Sequence, residues 1–414
     1  MITRHWWSPF ATGLLVVAGL SVAASGVEAQ QDLSTYGYFS WRYEKVFNEP
    51  GFEGGQIVNS TAPREFSTPF FNLMFQHQIA PRFTAFVNLS GASGAMDVRN
   101  LWGEYAFSQK VNVRLGKVYR KFGLYNEILD AVPTYYGIEP PEMFDSDHYL
   151  ISRTTSAMVY GGFPAGDGTL NYSVSTDNGE GADIFEGAFP LGWDVNYKFG
   201  GRSYTLGFSG YTSGGQTNSD VGVGEGSPKS GVLPWMAADS FNVLNGYAEA
   251  RVKGLTLQVE YARANHEAER DADAVLQILA NTDLNSSQMA RFLVDPNGST
   301  TDPANVSTVG DYTVQTWYFR AGYSVDTRKG EVGPYVQWDW YENPETIASK
   351  KWGGDNEAGV ADDGTFSKGT MGVLFRPIPQ VAVKLDGSAH FYTFHGEKVS
   401  YPEIRFDVSY TFGF

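Results

Sequence analysis

The chain has 414 residues, no cysteine and a formal charge of −16. Without cysteine there are no disulfides, thiolate metal sites, thiol nucleophiles or lipid-anchored N-terminal Cys. The acidic balance excludes a nucleic-acid partner, since neutralising phosphates needs a Lys/Arg excess. Aromatic residues make up 15% and charged residues only 18%. That mixture suits apolar side chains that face outward in alternation with polar ones facing in.

Residues 1–29 read as a signal peptide. Arg4 supplies a positive start, residues 10–24 form an apolar run, and Val27-Glu28-Ala29 places small residues at a cleavage site. The run is shorter than the roughly 20 residues a helix needs to cross a bilayer. The mature domain is then 30–414.

From Ser34 onward apolar and polar residues alternate with period two, the period of a strand. Phe39, Trp41 and Tyr43 oppose Ser40, Arg42 and Glu44; at the end, Ile404, Phe406, Val408, Tyr410 and Phe412 oppose Arg405, Asp407, Ser409 and Thr411. Sixteen such segments are predicted: 34–46, 68–79, 82–90, 97–107, 110–118, 152–163, 168–176 and 190–199, then 202–212, 241–252, 255–265, 311–324, 331–341, 367–377, 380–392 and 402–414. Connections after odd strands are mostly long and those after even strands are tight turns. This is the pattern of an all-β, transmembrane, antiparallel up-and-down β-barrel with long external loops and short periplasmic turns. Unpaired strand edges are too costly in hydrocarbon, so the sheet must close, and sixteen strands leave an aqueous bore.

Arg114-Leu115-Gly116-Lys117 and Lys121-Phe122-Gly123-Leu124 resemble the strand-then-loop signature of the phosphate-selective porin family and its relatives. Tyr410-Thr411-Phe412-Gly413-Phe414 is similar to the aromatic C-terminal assembly signal of outer-membrane proteins, with Phe414 as its terminal residue. The resemblance implies a sixteen-stranded, homotrimeric channel for small hydrophilic solutes and ions. It also implies insertion into the bacterial outer membrane, beside lipid and lipopolysaccharide, by the barrel-assembly machinery.

Parity points nine basic residues inward: Arg42, Arg114, Lys198, Arg251, Arg320, Lys368, Arg376, Lys384 and Arg405. Nine acidic ones balance them: Glu44, Glu104, Asp194, Glu249, Glu260, Glu331, Asp339, Asp386 and Asp407. Solvation or cross-strand pairing accounts for each singly. The third external loop, 119–151, is long and aromatic and is predicted to fold into the bore. It carries Arg120 and Lys121, then Glu127, Asp130, Glu139, Glu142, Asp145 and Asp147. Opposed charges across a narrow passage tune which ions pass. The expected constriction sets Glu127, Asp130, Asp145 and Asp147 against Arg42, Arg114 and Arg405, with Arg120, Lys121 and Lys384 as further cations. The loop carboxylates give an expected weak lean towards cations, although the family resemblance points to anions.

The insertion 266–310 holds one helical pattern, Ala272, Val275, Leu276 and Leu279, read as a short external helix on the rim. Asp271, Asp273, Asp355, Glu357, Asp362 and Asp363 offer oxygen ligands for surface Ca²⁺ or Mg²⁺ bridging lipopolysaccharide. Simple solvation is the plainer reading, and no cofactor is expected. Six histidines occur without a Gly-x-Ser-x-Gly elbow, a His-Glu-x-x-His pair or a P-loop, so an enzyme is not expected. An adhesin or structural barrel is the alternative to a channel, and a barrel hydrolase the remoter one.

Overall fold

The structure is a computed structural model. It describes residues 33–61, 65–66, 69–92, 94–144, 150–151, 153–177, 186–187, 189–213, 215–216, 231–233, 235–282, 284–347 and 357–413. The expected signal peptide, residues 1–29, and Phe414 lie outside them.

Sixteen wall strands form one closed antiparallel barrel. They are β1 (Leu33–Val46), β2 (Phe70–Ala80), β3 (Phe83–Ala92), β4 (Ala95–Ser108), β5 (Val111–Tyr119), β6 (Thr154–Ala165), β7 (Gly168–Thr176) and β8 (Leu191–Phe199). The other half is β9 (Tyr204–Thr212), β10 (Met236–Val252), β11 (Leu255–Arg270), β12 (Tyr312–Tyr323), β13 (Gly330–Glu342), β14 (Thr365–Ile378), β15 (Val381–Phe394) and β16 (Glu397–Gly413). Each strand pairs with its sequence neighbours, and β1 closes on β16 from Tyr36↔Gly413 to Val46↔Glu403. Closure leaves no strand edge open to lipid.

Outward positions carry exposed apolar side chains, among them Leu101, Leu115, Phe208, Leu244 and Met371. Aromatic pairs band the outer surface, as interfacial girdles do. Phe39 stacks on Tyr410 at 4.7 Å, and near the short turns Phe199 stacks on Tyr197 and Tyr204.

Three strands run farther than the alternation predicts. β10 starts at Met236 rather than 241, β11 ends at Arg270 rather than 265, and β16 starts at Glu397 rather than 402. At these external ends the pattern inverts. Phe241, Val243, Ala262, Ala264 and His266 are buried inside, while Arg263, Asn265 and Glu267 face out. Above the membrane the outer face meets water, so a lipid-facing pattern has no reason to persist.

The inverted ends hold an apolar cap. The insertion begins after Arg270 and forms two helices, α1 (Ala272–Asn281) and α2 (Ser286–Phe292), where one was expected. Asp271 caps α1 by accepting from Ala274 N at 2.8 Å, and Asn285 and Gln288 form a capping box on α2. Val275, Ile278 and Phe292 are fully buried in one cluster with the inward Phe241, Tyr312, Tyr341, Phe366 and Tyr401. A third helix, α3 (Glu357–Val360), adds Ala358 to it. The helices therefore join the core of the mouth.

Candidate functional site

Segment 119–151 leaves β5 at the external end and turns into the barrel. Both motif glycines have a local reason. Gly116 has φ +123° at a bulge between β5 and β6, where a Cβ would strike the Leu101 carbonyl. Gly123 has φ +61°, and a Cβ there would collide with the Glu260 carboxylate. The bare backbone lets Gly123 N donate to Ser209 Oγ at 2.9 Å and Leu124 N to Glu260 Oε2 at 3.2 Å.

The segment then crosses to the opposite wall, β12–β16 and β1. Tyr125 Oη donates to Gln258 at 2.7 Å and receives the Arg320 guanidinium. Lys384 Nζ donates to the Val132 and Gly137 carbonyls at 2.5 and 2.7 Å. Asp386 accepts from Ile138 N at 2.8 Å, and Asp339 from Glu142 N at 3.1 Å. Glu139 collects three cations: Arg42 at 3.1 Å, Lys368 at 3.4 Å, and Arg405. Lys368 also binds Glu142 at 2.6 Å. The tip reaches the periplasmic end, where Arg376 holds the Pro133 carbonyl at 2.8 Å. There Pro133 and Thr134 line a cavity with Asp326, Gly330 and Pro379. Burial pushes the Tyr125 and Tyr135 hydroxyls above their ordinary range, so both stay neutral donors.

Open space also remains off-axis, on the other side of the segment. A cavity of about 650 Å³ lies between the segment and β5–β11, lined by Asn112, Tyr160, Asn171, Asp194, Asn196 and Lys198 from the wall and by Lys121 and Glu127 from the segment. Lys121 Nζ sits 2.9 and 2.8 Å from the two Glu127 oxygens. The amides link sideways, Asn171 to Asn196 at 2.9 Å and Asn196 to Asp194 at 2.8 Å.

The expected constriction residues fall into three groups. Lys121 and Glu127 line the cavity. Arg42, Lys384 and Arg405 anchor the segment, and the carboxylate facing Arg42 and Arg405 is Glu139 rather than Glu127 or Asp130. Arg114 pairs with Glu104 in the wall, between the Trp102 and Tyr160 rings. Arg120 is fully buried beneath Tyr211 and paired with Asp177. Asp130 receives Asn88 at 3.0 Å, Arg153 at 3.3 Å and the Tyr119 hydroxyl. Asp145 and Asp147 lie outside the described residues. Parity had turned Asp194 and Lys198 inward, but strand pattern alone does not say which inward residues a loop will cover.

Three of the acidic groups considered for surface cations have other occupations. Asp271 caps α1, and Asp362 accepts from His395 N and Gly396 N. Glu357 accepts from Tyr401 Oη at 2.7 Å. Asp355 lies outside the described residues.

Comparison with solved structures matches this architecture over nearly the whole chain. The anion-selective porin from Comamonas acidovorans superposes with TM-score 0.55 at 11% identity, covering 92% of this chain and 100% of that one. The fold is that of the porins. The outer membrane channel DcaP of Acinetobacter baumannii gives TM-score 0.52 at 9% identity, covering 94% and 100%. Salmonella typhi OmpF, in complex with daunomycin, gives 0.50 at 11%, covering 92% and 97%. No family model and no curated protein matches the sequence. At such identities the likeness carries the fold alone.

Proposed function

We propose that this chain is an outer-membrane channel for passive diffusion of small hydrophilic solutes and ions, and not an enzyme. One observation carries the reading: a polar, off-axis cavity runs beside an infolded segment inside a closed barrel with an apolar outer surface. The fold shared with known porin channels supports it. Kinship with the phosphate-selective family rests on two short motifs, and the homotrimer, the assembly role of Phe414 and contact with lipopolysaccharide extend from the same resemblance.

Selectivity reads differently once the charges are placed. The described loop carboxylates behind the cation lean are all engaged by Lys121, Arg153, Arg42, Arg405 or Lys368. Of the charged groups lining the cavity, Lys198, Arg202 and Asp194 have no ion pair among the described residues, and Asp194 is buried and accepts from Asn196, Ser209 and Tyr247. A weak preference for anions follows. Purified protein in planar bilayers should give discrete conductance steps, with a reversal potential in a KCl gradient on the anion side. Absence of conductance, with no liposome swelling by small sugars, would favour an adhesin or structural barrel instead.

A further inference from the structure

We propose that α3 and the residues after it to Gly364, with α2 bonded to them, form a lid over the β10–β16 side of the mouth, latched by His390 bridging Glu357 and Glu403. The lid is a property of the fold; only its effect on conduction depends on the channel reading.

Three observations meet here. First, the lid covers apolar surface. Ala358 and Ala361 are fully buried in the cluster with Phe366, Tyr392 and Tyr401, all inward residues of strand ends. Second, α2 is tied to the segment, because Gln288 Nε2 donates to the Gly359 carbonyl at 3.1 Å and Asn285 Nδ2 to Asp362 at 2.6 Å. Third, Asp362 and Gly364 fasten the far end of the segment to the strand ends, with Asp362 N donating to the Thr393 carbonyl at 2.9 Å and Asn343 N to the Gly364 carbonyl at 2.9 Å, while α3 itself meets the wall at one ring and its stacked tyrosine. His390 on β15 has Nδ1 in ionic contact with Glu357, and Nε2 at 3.2 Å from Glu403 on β16. Tyr401 stacks on the imidazole at 4.4 Å and donates its hydroxyl to Glu357.

A buried imidazole with a carboxylate at each nitrogen is favoured as the imidazolium, because one proton cannot serve both sides. The other charges nearby are Lys368 on β14, Glu142 from the infolded segment, Glu44 on β1, Arg405 on β16 and Glu49 just after β1; Tyr392 and Tyr401 are also titratable. Burial pushes Glu357 up, but the hydrogen bond and charge of His390 outweigh it and hold Glu357 at about 2. Acid therefore leaves the Glu357 side of the latch paired until that range. Raising the pH removes the imidazolium proton, leaves Glu357 and Glu403 facing each other across a neutral ring, and frees the lid.

A chain without cysteine makes the test clean. Ala358→Cys places one thiol under the lid, and Ser299→Cys places one on exposed external loop as reference. Each is labelled with a membrane-impermeant maleimide on the folded protein in proteoliposomes. The ratio of the two rates cancels the thiol's own titration. The ratio should be low near pH 6 and rise about tenfold or more by about pH 9.5, as expected for local opening. Ala358→Cys carrying His390→Gln should label fast throughout. A ratio flat with pH in the parent, or slow labelling in a folded His390→Gln variant, overturns the latch. Neither readout uses current, so failure of the lid and failure of the channel are distinguishable.

Discussion

Replacing Glu139 by Gln should widen the channel and turn it firmly towards anions. Glu139 is the meeting point of Arg42, Lys368 and Arg405, drawn from β1, β14 and β16. Removing its charge leaves three cations converging on a neutral amide, with Glu44, Glu142 and Glu403 as remaining partners. Breaking a largely buried pair costs up to about 3–5 kcal/mol, and less where water reaches it, so a loss on the order of 1–3 kcal/mol suits these partly exposed groups. That is enough to loosen a segment held by side-chain contacts to the far wall. Single-channel conductance should rise and the anion-to-cation permeability ratio should climb severalfold. Unchanged conductance and selectivity in a folded variant would show that the segment is held elsewhere, at Lys384 or Tyr125.

The pair on the segment's other face should act in opposite directions. Lys121 and Glu127 neutralise one another on the cavity wall, so each single change exposes the partner's charge. Lys121→Gln should move the reversal potential towards cations and Glu127→Gln towards anions. A unit charge at 4 Å is worth about 1 kcal/mol in water and about 4 kcal/mol at an effective dielectric near 20. Severalfold changes in permeability ratio are therefore expected at low salt. Both should shrink as ionic strength rises, since the screening length is about 10 Å at 0.1 M. Shifts of the same sign in both variants, or none, would place the passage away from this pair.

Much of the architecture was legible in the sequence because lipid imposes a strict rule. Every second residue from Phe39 to Tyr43, or from Ile404 to Phe412, is apolar since it meets hydrocarbon, and turn lengths follow from the need to close. The rule stops where the membrane stops. Beyond Ala262 on β11 the apolar side faces inward and the polar side outward, so the pattern no longer marks a strand spanning lipid. The second helix, Ser286–Phe292, was hidden for a related reason: its buried residues are Gln288 and Phe292, and they leave no apolar stripe.

The candidate site was legible in outline only. Parity placed Arg42, Lys384 and Arg405 inside, and the segment does meet them. It could not say that Glu139 would meet Arg42 and Arg405, because which carboxylate reaches them depends on how far the chain descends after Gly123. Nor could it show Arg120 buried under Tyr211 and bound to Asp177, a contact between segments 57 positions apart. Charge counted along a loop therefore does not say which carboxylates are left without a cation beside them. The cation lean counted carboxylates, whereas the three-dimensional arrangement decides which of them remain without partners.

The central claim is that the infolded segment packs against the β12–β16 wall and leaves the passage along β5–β11. Cysteine substitution with a small charged methanethiosulfonate reagent tests it most directly. Asn196→Cys lies on the cavity wall, and its current should fall promptly when the reagent is added. Ser388→Cys is inward on β15 but buried, so its current should be untouched. Prompt block at Ser388→Cys with none at Asn196→Cys would put the open path on the wrong side of the barrel and contradict the account.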